Sequence, residues 1–244
     1  MQGVTRDVRG ERIGYIKLMA VDPAEQRRGV ARTLFETLQQ ALGERGAQKL
    51  RIYDVPRNYF MPGIDPRYTA ALCFATSVGF ERTGETVNME VALGERDWDV
   101  SAEILALEKE GIRITRAVKE DEDAILQLLS GAWDLWKTEV LQSLLRKPAA
   151  LFIARMDGEV RAFAGWDGNN RGTGWFGPMG TDPVCRGKGI GRILLFLCLE
   201  DIRSAGHNIA VIPWVGPVGF YSNTCGAKIS RCFWRYEKHL KNTS

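Results

Sequence analysis

The sequence predicts a mixed α+β protein that contains two related units. The first observation is a short apolar strand that leads into a glycine-rich loop and then into an amphipathic helix, over residues 175–206. The second is that residues 12–46 repeat this arrangement. The two copies align without a gap, so that Asp22 falls on Asp182, Gly29 on Gly189 and Gly46 on Gly206. A repeat of this length indicates two related domains rather than a solenoid of short repeats.

The loop of the second copy is suited to binding an anion. The N–H groups in the first turn of a helix have no internal partner and lie at the positive end of the helix dipole. Glycines let a phosphate approach the backbone closely, and basic side chains add positive charge. The loop that combines these features consists of Arg186, Gly187, Lys188, Gly189, Ile190 and Gly191. A pyrophosphate would fit here.

The spacing of this loop distinguishes it from two other phosphate-binding loops. An ATP-type loop has Ser or Thr after its lysine, whereas Gly189 follows Lys188. A dinucleotide loop has the pattern G-x-G-x-x-G, whereas here every second residue is glycine. The loop matches the pattern Gln/Arg-x-x-Gly-x-Gly/Ala and so resembles the acyl-CoA pyrophosphate loop of the GCN5-related N-acetyltransferases (GNAT). The first copy matches the same pattern with Gln26, Arg27, Arg28, Gly29, Val30 and Ala31.

The composition argues against several other classes of protein. A net charge of +3 gives no general case for binding nucleic acid or a membrane surface. Five cysteines without a C-x-x-C pair are typical of free thiols in a reducing cytosol, so we expect a cytoplasmic protein. Two histidines are too few for a zinc site or a Ser-His-Asp triad, so we expect no metal. The sequence contains no apolar run of about 18 residues, which is the length that would predict a membrane span.

The hydrophobic pattern predicts the elements of the first unit, residues 1–94, in order. Apolar residues at period two indicate strands, and apolar residues three and four apart indicate helices. Glycines after the periodic segments are expected to end the helices. The predicted elements are strand 12–20, helix 30–42, strand 49–55, helix 69–78 and strand 88–93.

A charged connector with one helix, residues 95–110, leads to the second unit, residues 111–244. The predicted elements before the loop are strand 112–117, helices 119–130 and 133–145, and a hairpin of strands 150–156 and 160–166. After the central strand, loop and helix come strand 208–213, helix 218–224 and strand region 228–239. This order resembles the mixed-sheet acyl-CoA N-acyltransferase fold over the whole second unit.

The first unit is expected to be incomplete. In the second unit a long segment that starts at Gly111 precedes Asp182, whereas the counterpart Asp22 lies close to Met1. The first unit therefore lacks about 50 residues of the repeat, corresponding to the first strand, two helices and the second strand. Either the first unit is a truncated partner domain, or the chain starts downstream of its natural start.

The resemblance implies an activity and a set of site residues. The family transfers an acetyl group from acetyl-CoA to a primary amine, which attacks the thioester directly. The strand that enters the loop would contact the thioester with Met179, Gly180 and Thr181, of which Met179 or Gly180 is the expected donor of an N–H to its oxygen. An acid must protonate the departing thiolate, and a base must accept a proton from the amine.

The expected acid is Tyr221, on the short helix after the next strand. The family has this tyrosine four residues before a glycine, whereas Gly226 lies five residues after Tyr221, so that Ser222 has the strict spacing. In the first unit the corresponding residue is Ala75, so we expect that unit to be catalytically silent although able to bind CoA. Two carboxylates, Asp167 and Glu139, are candidates for the base.

The predicted function is acetyl-CoA-dependent acetylation of the primary amine of a small molecule. One alternative is that the acceptor is a protein N-terminus or a lysine side chain. Another is that the protein is a non-catalytic acyl-CoA-binding module. The incomplete first unit would leave sheet edge exposed, so the protein is also a possible homo-oligomer.

Overall fold

The computed structural model describes residues 1–56, 59, 61–94 and 96–240. These residues form two compact units. The first contains Met1–Val87 and the described residues from Arg231 onward, and the second contains Asn88–Ser230. Residue 95, where the predicted connector begins, and residues 241–244 of the predicted second unit lie outside the described residues.

The first unit is a mixed sheet with two helices. Its elements are β1 (Gln2–Val8), β2 (Glu11–Leu18), α1 (Val30–Glu44), β3 (Lys49–Ile52), α2 (Thr69–Ser77) and the first part of β4 (Glu81–Ala92). The last strand of the chain, β10 (Lys228–His239), adds its residues from Arg231 onward. The strand order is β1-β2-β3-β10-β4, in which β2 and β3 run parallel and β10 runs antiparallel to β3.

The second unit contains an antiparallel sheet with the order β5-β6-β7-β8. Its elements up to this sheet are α3 (Ser101–Lys109), β5 (Ile112–Arg116), α4 (Glu122–Leu129), α5 (Lys137–Leu144), β6 (Leu151–Met156), β7 (Glu159–Trp166) and β8 (Phe176–Thr181). Its remaining elements are α6 (Ile190–Ser204), β9 (Ile209–Val215) and α7 (Val218–Cys225). Strand β9 pairs with the last part of β4.

Both long helices pack on a sheet through residues at helical spacing. Helix α1 buries Phe35 and Leu42, seven residues apart, against Leu50 and Ile52 of β3. Helix α6 is more apolar, and it buries Ile190, Ile193, Leu194, Leu195, Phe196, Cys198, Leu199 and Ile202. A helix with so wide an apolar surface must be covered on more than one side, and α6 packs against β6, β7, β8 and β9.

The predicted mixed α+β class and the two related units are confirmed. Strand β4 is longer than the predicted strand 88–93, because its first residues, from Glu81, are mostly polar and exposed and so give no apolar pattern. The predicted connector helix is α3. Residues 2–8, for which the sequence predicts no element, form β1.

The spatial division differs from the predicted boundaries 1–94, 95–110 and 111–244. Residues 88–94 belong to the second unit, and the described residues after Ser230 belong to the first. The division falls inside β4 and inside β10, the last strand of each repeat, and each of these strands has 12 residues. Every backbone N–H and C=O group of a strand needs a hydrogen-bond partner, so each part of β4 and β10 belongs to the unit that supplies its partners. The division between the units therefore does not follow the boundary of the repeat.

The place of β10 in the first unit can be tested by substitution within one strand. Phe233 is 1% exposed, whereas Ile229 is 55% exposed. We expect Phe233→Ala to lower the free energy of unfolding by about 3–5 kcal/mol, because it removes a buried ring. The control Ile229→Ala should lower it by less than about 0.5 kcal/mol. Urea denaturation measures both, and similar values for the two variants would contradict this assignment of β10.

Candidate active site

The two predicted pyrophosphate loops have nearly the same backbone. Asp22 and Asp182 each precede a single turn of 3₁₀ helix, with φ and ψ of −49° and 133° in the first and −50° and 134° in the second. Their carboxylates accept hydrogen bonds from the N–H groups of Ala24 (2.8 Å) and Val184 (3.0 Å). Both aspartates therefore stabilise the turn that leads into the loop.

Each loop ends in a glycine in the left-handed region, where the following helix begins. Gly29 has φ of 83° and Gly189 has φ of 78°. The first hydrogen bonds to these residues come from Thr33 and Ile193, with N···O distances of 3.1 Å in both loops. The N–H groups of the turn before them thus have no acceptor within the helix. Both helices present the free N–H groups that an anion would need.

One loop residue distinguishes the two copies. Gly187 has φ of 81°, and its counterpart Arg27 has φ of 64°. A residue with a side chain rarely adopts this conformation, and it costs of the order of 1–3 kcal/mol. The surrounding turn therefore holds Arg27 in the shape that Gly187 adopts freely, and the shape of the anion loop is kept in both units.

Carboxylates of α3 and its C-terminus neutralise two of the basic side chains at the second loop. Lys188 Nζ lies 3.4 Å from a carboxylate oxygen of Glu110, and Arg192 Nη1 lies 3.0 Å from one of Glu103. Arg186 makes no ion pair with any residue in the described ranges. Arg186 is therefore the loop cation that is available to a ligand without breaking an existing pair.

Strand β8 has one edge that is largely unpaired. The N–H of Asp182 donates to the carbonyl of Arg161 on β7 (2.8 Å), and alternation directs the N–H groups of Met179 and Thr181 to the other edge. On that edge β9 meets the chain at a single bridge, Trp175–Val211, within the part of the molecule that the structure describes. The N–H of Met179 therefore points into the gap between β8 and β9.

The start of α6 lies next to this gap. A Cβ added at Gly191 would lie 3.7 Å from Thr181 Oγ1, 3.9 Å from Phe220 Cζ and 4.0 Å from Met179 Cε. Phe220 belongs to α7, so three elements of the second unit converge here. The structure thus brings the predicted loop residue Gly191 together with the predicted strand residues Met179 and Thr181.

An aromatic cluster packs on the opposite side of β8. A Cβ at Gly180 would lie 2.8 Å from a ring carbon of Phe163 and 3.0 Å from one of Trp133. Trp133 and Trp136 stack, with ring centroids 6.4 Å apart and an interplanar angle of 9°. Only glycine fits at position 180, because the rings of Trp133 and Phe163 occupy the place of its side chain.

Tyr221 is 8% exposed and lies among aromatic rings of the second unit. Its ring centroid is 6.2 Å from that of Phe176 and 5.0 Å from that of Phe220. Burial raises the pKa of Tyr221 above its usual value, so the phenol keeps its proton at neutral pH. Its hydroxyl makes no hydrogen bond within the described ranges, so the proton is not committed to a neighbour.

The end of α7 explains the unusual spacing of Tyr221. In the first unit, the N–H of Phe80 donates to the carbonyl of Ala75 and closes the end of α2 (3.0 Å). In the second, the N–H of Ala227 donates to the carbonyl of Tyr221 (3.4 Å). The matching bonds pair Tyr221 with Ala75, and the additional residue lies in the wider closing turn. Ser222, which has the strict sequence spacing, is exposed.

The two candidate bases differ in their surroundings. Asp167 is fully buried, accepts a hydrogen bond from Gly172 N–H (2.5 Å) and pairs with Arg146 (3.0 Å), so it is engaged in holding the loop after β7. Glu139 lies on α5, one turn after Trp136, and burial raises its pKa to about 7. The raised pKa lets Glu139 exchange a proton near neutral pH.

The first unit has a cavity of about 1270 Å³ beside its loop. It is lined by the loop residues Gln26, Arg27, Gly29, Val30 and Ala31 and, before the loop, by Met19, Ala20 and Val21. In the alignment of the two copies the last three correspond to Met179, Gly180 and Thr181. The volume exceeds that of a typical drug-sized site and suits a large ligand. The cavity lies in the unit that we expected to be catalytically silent.

Four other residues that line this cavity were not predicted as site residues from the sequence: Met61, Arg67, Tyr68 and Arg231. The first three lie in a proline-rich loop without periodic pattern, and Arg231 comes from the distant strand β10. The composition of the long loop, which is rich in aromatic residues, was the available signal.

No group of three His, Cys, Asp or Glu side chains in the described ranges is arranged to hold a metal ion. No helix that the structure describes is both long and apolar enough to cross a membrane.

Comparison with known proteins identifies the repeat. The sequence profile described as the acetyltransferase (GNAT) family matches residues 2–59 and 116–225, which together make up more than half of the chain. No curated protein matches the sequence.

Solved structures share the fold at low sequence identity. The GCN5-related glucosamine N-acetyltransferase region of a fungal multi-domain GH3 β-N-acetylglucosaminidase is 18% identical, with a TM-score of 0.81; the match covers 96% of this chain and 31% of that one. A GCN5-related N-acetyltransferase from Sphaerobacter thermophilus is 16% identical (TM-score 0.67, 97% and 76% covered). A tandem GNAT protein from the clavulanic acid biosynthesis pathway is also 16% identical (TM-score 0.66, 96% and 77% covered).

Proposed function

Because the chain belongs to the acetyltransferase (GNAT) family, we propose that its second unit transfers the acetyl group of acetyl-CoA to the primary amine of a small molecule. The observation that best supports this proposal is that α6 and α7 both approach the unpaired edge of β8. The unpaired N–H of Met179, the start of α6 and helix α7 meet at one gap between two strands. An anion loop, a donor for an oxyanion and a protonated phenol in one unit are the groups that this transfer needs.

The second loop is the proposed site for the pyrophosphate of the co-substrate. The free N–H groups before Ile193 and the uncommitted Arg186 would hold two negative charges. A Cβ at Gly187 or Gly189 would meet no atom within 4 Å, so the backbone there is open to a ligand. By the same reasoning, Gln26–Ala31 would hold a second molecule of CoA in the first unit.

The N–H of Met179 is the proposed donor to the thioester oxygen. It lies on the unpaired edge of β8, whereas the N–H of Gly180 lies on the edge that pairs with β7. A donor that is fixed in a strand needs no reorganisation as negative charge develops on the oxygen. Acetyl-CoA would supply the acetyl group as a thioester. The amine forms a C–N bond at its carbonyl carbon, and the C–S bond breaks.

Two side chains would carry the protons. Glu139, with a pKa raised to about 7, would accept a proton from the attacking amine. Tyr221 would give a proton to the departing thiolate, since its phenol is protonated at neutral pH. The first unit has Ala75 in place of Tyr221, which supports binding without transfer in that unit.

The aromatic cluster favours an acceptor with a flat apolar face. Trp136 lies one turn before Glu139 and stacks on Trp133, whose ring lies against Gly180 of β8. Sugar rings present such a face, and the fungal structure with the same fold is described as a glucosamine N-acetyltransferase region. We therefore propose amino sugars as the first acceptors to test.

The assay is amine-dependent release of free CoA from acetyl-CoA, with two matched loop variants. Gly189→Asp and Gly29→Asp introduce the same negative charge at the same backbone position of each loop, in a conformation that aspartate tolerates. We expect Gly189→Asp to lower kcat/KM at least about tenfold, because it repels the pyrophosphate. Gly29→Asp should leave the rate within about twofold. A larger loss in Gly29→Asp would assign the chemistry to the first unit.

The proton donor can be tested with Tyr221→Phe, which keeps the ring and removes the hydroxyl. We expect kcat to fall by about 10²- to 10⁴-fold, the usual contribution of a positioned acid, while the affinity for acetyl-CoA stays nearly constant. Tyr236→Phe, which changes a buried tyrosine of the first unit, is the control. Steady-state kinetics and calorimetry separate the two effects, and an unchanged kcat would refute the assignment.

The base can be tested by the dependence of rate on pH. A carboxyl group whose pKa is raised to about 7 is protonated below this pH, so kcat/KM should rise with pH through about 7 and then level off. In Glu139→Gln this limb of the profile should disappear and the plateau should fall. The measurement needs an acceptor whose own amine does not titrate between pH 6 and 8. A profile that is unchanged in Glu139→Gln would identify another base.

A further inference from the structure

The cavity of the first unit has a second basic group besides its loop. Arg67 and Arg231 both line the cavity, and both pair with the carboxylate of Asp65. Arg67 Nη2 lies 2.7 Å from Asp65 Oδ2, and Arg231 Nη2 lies 3.0 Å from the same oxygen. Asp65 is 2% exposed, so its carboxylate holds the two guanidinium groups together from below the cavity surface.

The charges around the cavity are strongly unbalanced. Four arginines and one glutamate line it: Arg27, Arg32, Arg67, Arg231 and Glu25. Glu25 pairs with Arg28 (2.7 Å). Hydrogen bonds from Arg67, and then from Arg231, lower the pKa of Asp65 to about 2, so this carboxylate stays ionised. Asp65 can neutralise one of its two arginine partners, and the pair keeps one positive charge.

The arginine pair also keeps unused hydrogen-bond donors. Asp65 accepts from the Nε groups of Arg67 (3.0 Å) and Arg231 (3.1 Å) and lies close to the Nη2 groups of both. The Nη1 groups of Arg67 and Arg231 make no hydrogen bond with any residue that the structure describes. Two guanidinium groups that pair with one carboxylate and keep Nη1 donors for a ligand are suited to binding a second carboxylate.

The position of Arg67 holds no arginine in the second unit. The alignment of the helix ends that pairs Ala75 with Tyr221 places Arg67 on Pro213. The repeat accounts for the loop and for the cavity residue Met19, but it does not account for Arg67.

We propose that the cavity of the first unit binds an acyl-CoA together with a carboxylate, which the Arg67–Arg231 pair recognises. The loop would take the pyrophosphate, and the pair would take a carboxylate either at the far end of the acyl group or on an amino acid that occupies the acceptor position. This inference rests on the proposal that the first loop binds CoA. It extends that proposal by naming the chemical class of the ligand.

The test compares two thioesters of equal chain length in a chain whose second loop carries Gly189→Asp. Succinyl-CoA ends in a carboxylate, and butyryl-CoA ends in a methyl group. We expect calorimetry to show that succinyl-CoA binds about tenfold more tightly, which is the effect of one charge-assisted contact. Adding Arg67→Gln should abolish the preference and leave the affinity for butyryl-CoA within about twofold. Thermal unfolding checks that this variant is folded, since Asp65 keeps Arg231 as a partner.

The second arm tests the other source of the carboxylate. Glycine and methylamine are compared in the presence of saturating CoA, and a preference for glycine that Arg67→Gln abolishes would support an amino acid acceptor. If succinyl-CoA binds no better than butyryl-CoA, and glycine no better than methylamine, the inference is wrong, whereas the proposal that the first unit binds CoA stands. An equal loss of both thioesters in Arg67→Gln would show that the pair binds a phosphate of CoA itself, which also overturns it. If neither thioester binds, both proposals fail.

Discussion

Both units depend on the backbone turn before their long helix, α1 or α6, in which two residues adopt left-handed conformations. In each unit the carboxylate of an aspartate fixes the turn, and a glycine then starts the helix with its first N–H groups unpaired. Helices α1 and α6 are anchored in the cores by their apolar faces, and each helix therefore holds its loop in a fixed position on its unit. Arg27, which adopts φ of 64° in spite of its side chain, indicates how strongly the turn is imposed.

The two units keep the same loop but differ in what surrounds it. In the second unit, carboxylates of α3 and its C-terminus pair with Lys188 and Arg192. Helix α7 carries a buried phenol, and α5 carries a carboxyl with a pKa of about 7. In the first unit Ala75 takes the place of the phenol, and a cavity with four arginines opens beside the loop. The backbone of the loop is nearly the same in both copies, whereas the groups suited to proton transfer are concentrated in the second unit.

Much of the fold could be predicted from the sequence, because the loop pattern is local and occurs twice. The capping aspartates, the glycine at each helix start and the helices α1 and α6 all follow from short-range rules. The role of Asp167 could not be predicted, because its partner Arg146 lies before β6 and meets it only in the folded chain. The arginine pair could not be predicted for the same reason, since Arg231 and Asp65 are 166 residues apart in the sequence.

The last strand has a consequence for how the molecule is made. The residues of β10 from Arg231 onward lie between β3 and β4, in the unit that is otherwise formed by the beginning of the chain. A ribosome releases β3 and β4 long before it releases β10, so the sheet of the first unit cannot be completed until residues 231–239 have been synthesised. The usual order, in which an N-terminal domain folds before the next one emerges, is not available to this protein. For the same reason, cutting the gene between the two repeats would not yield two independent domains.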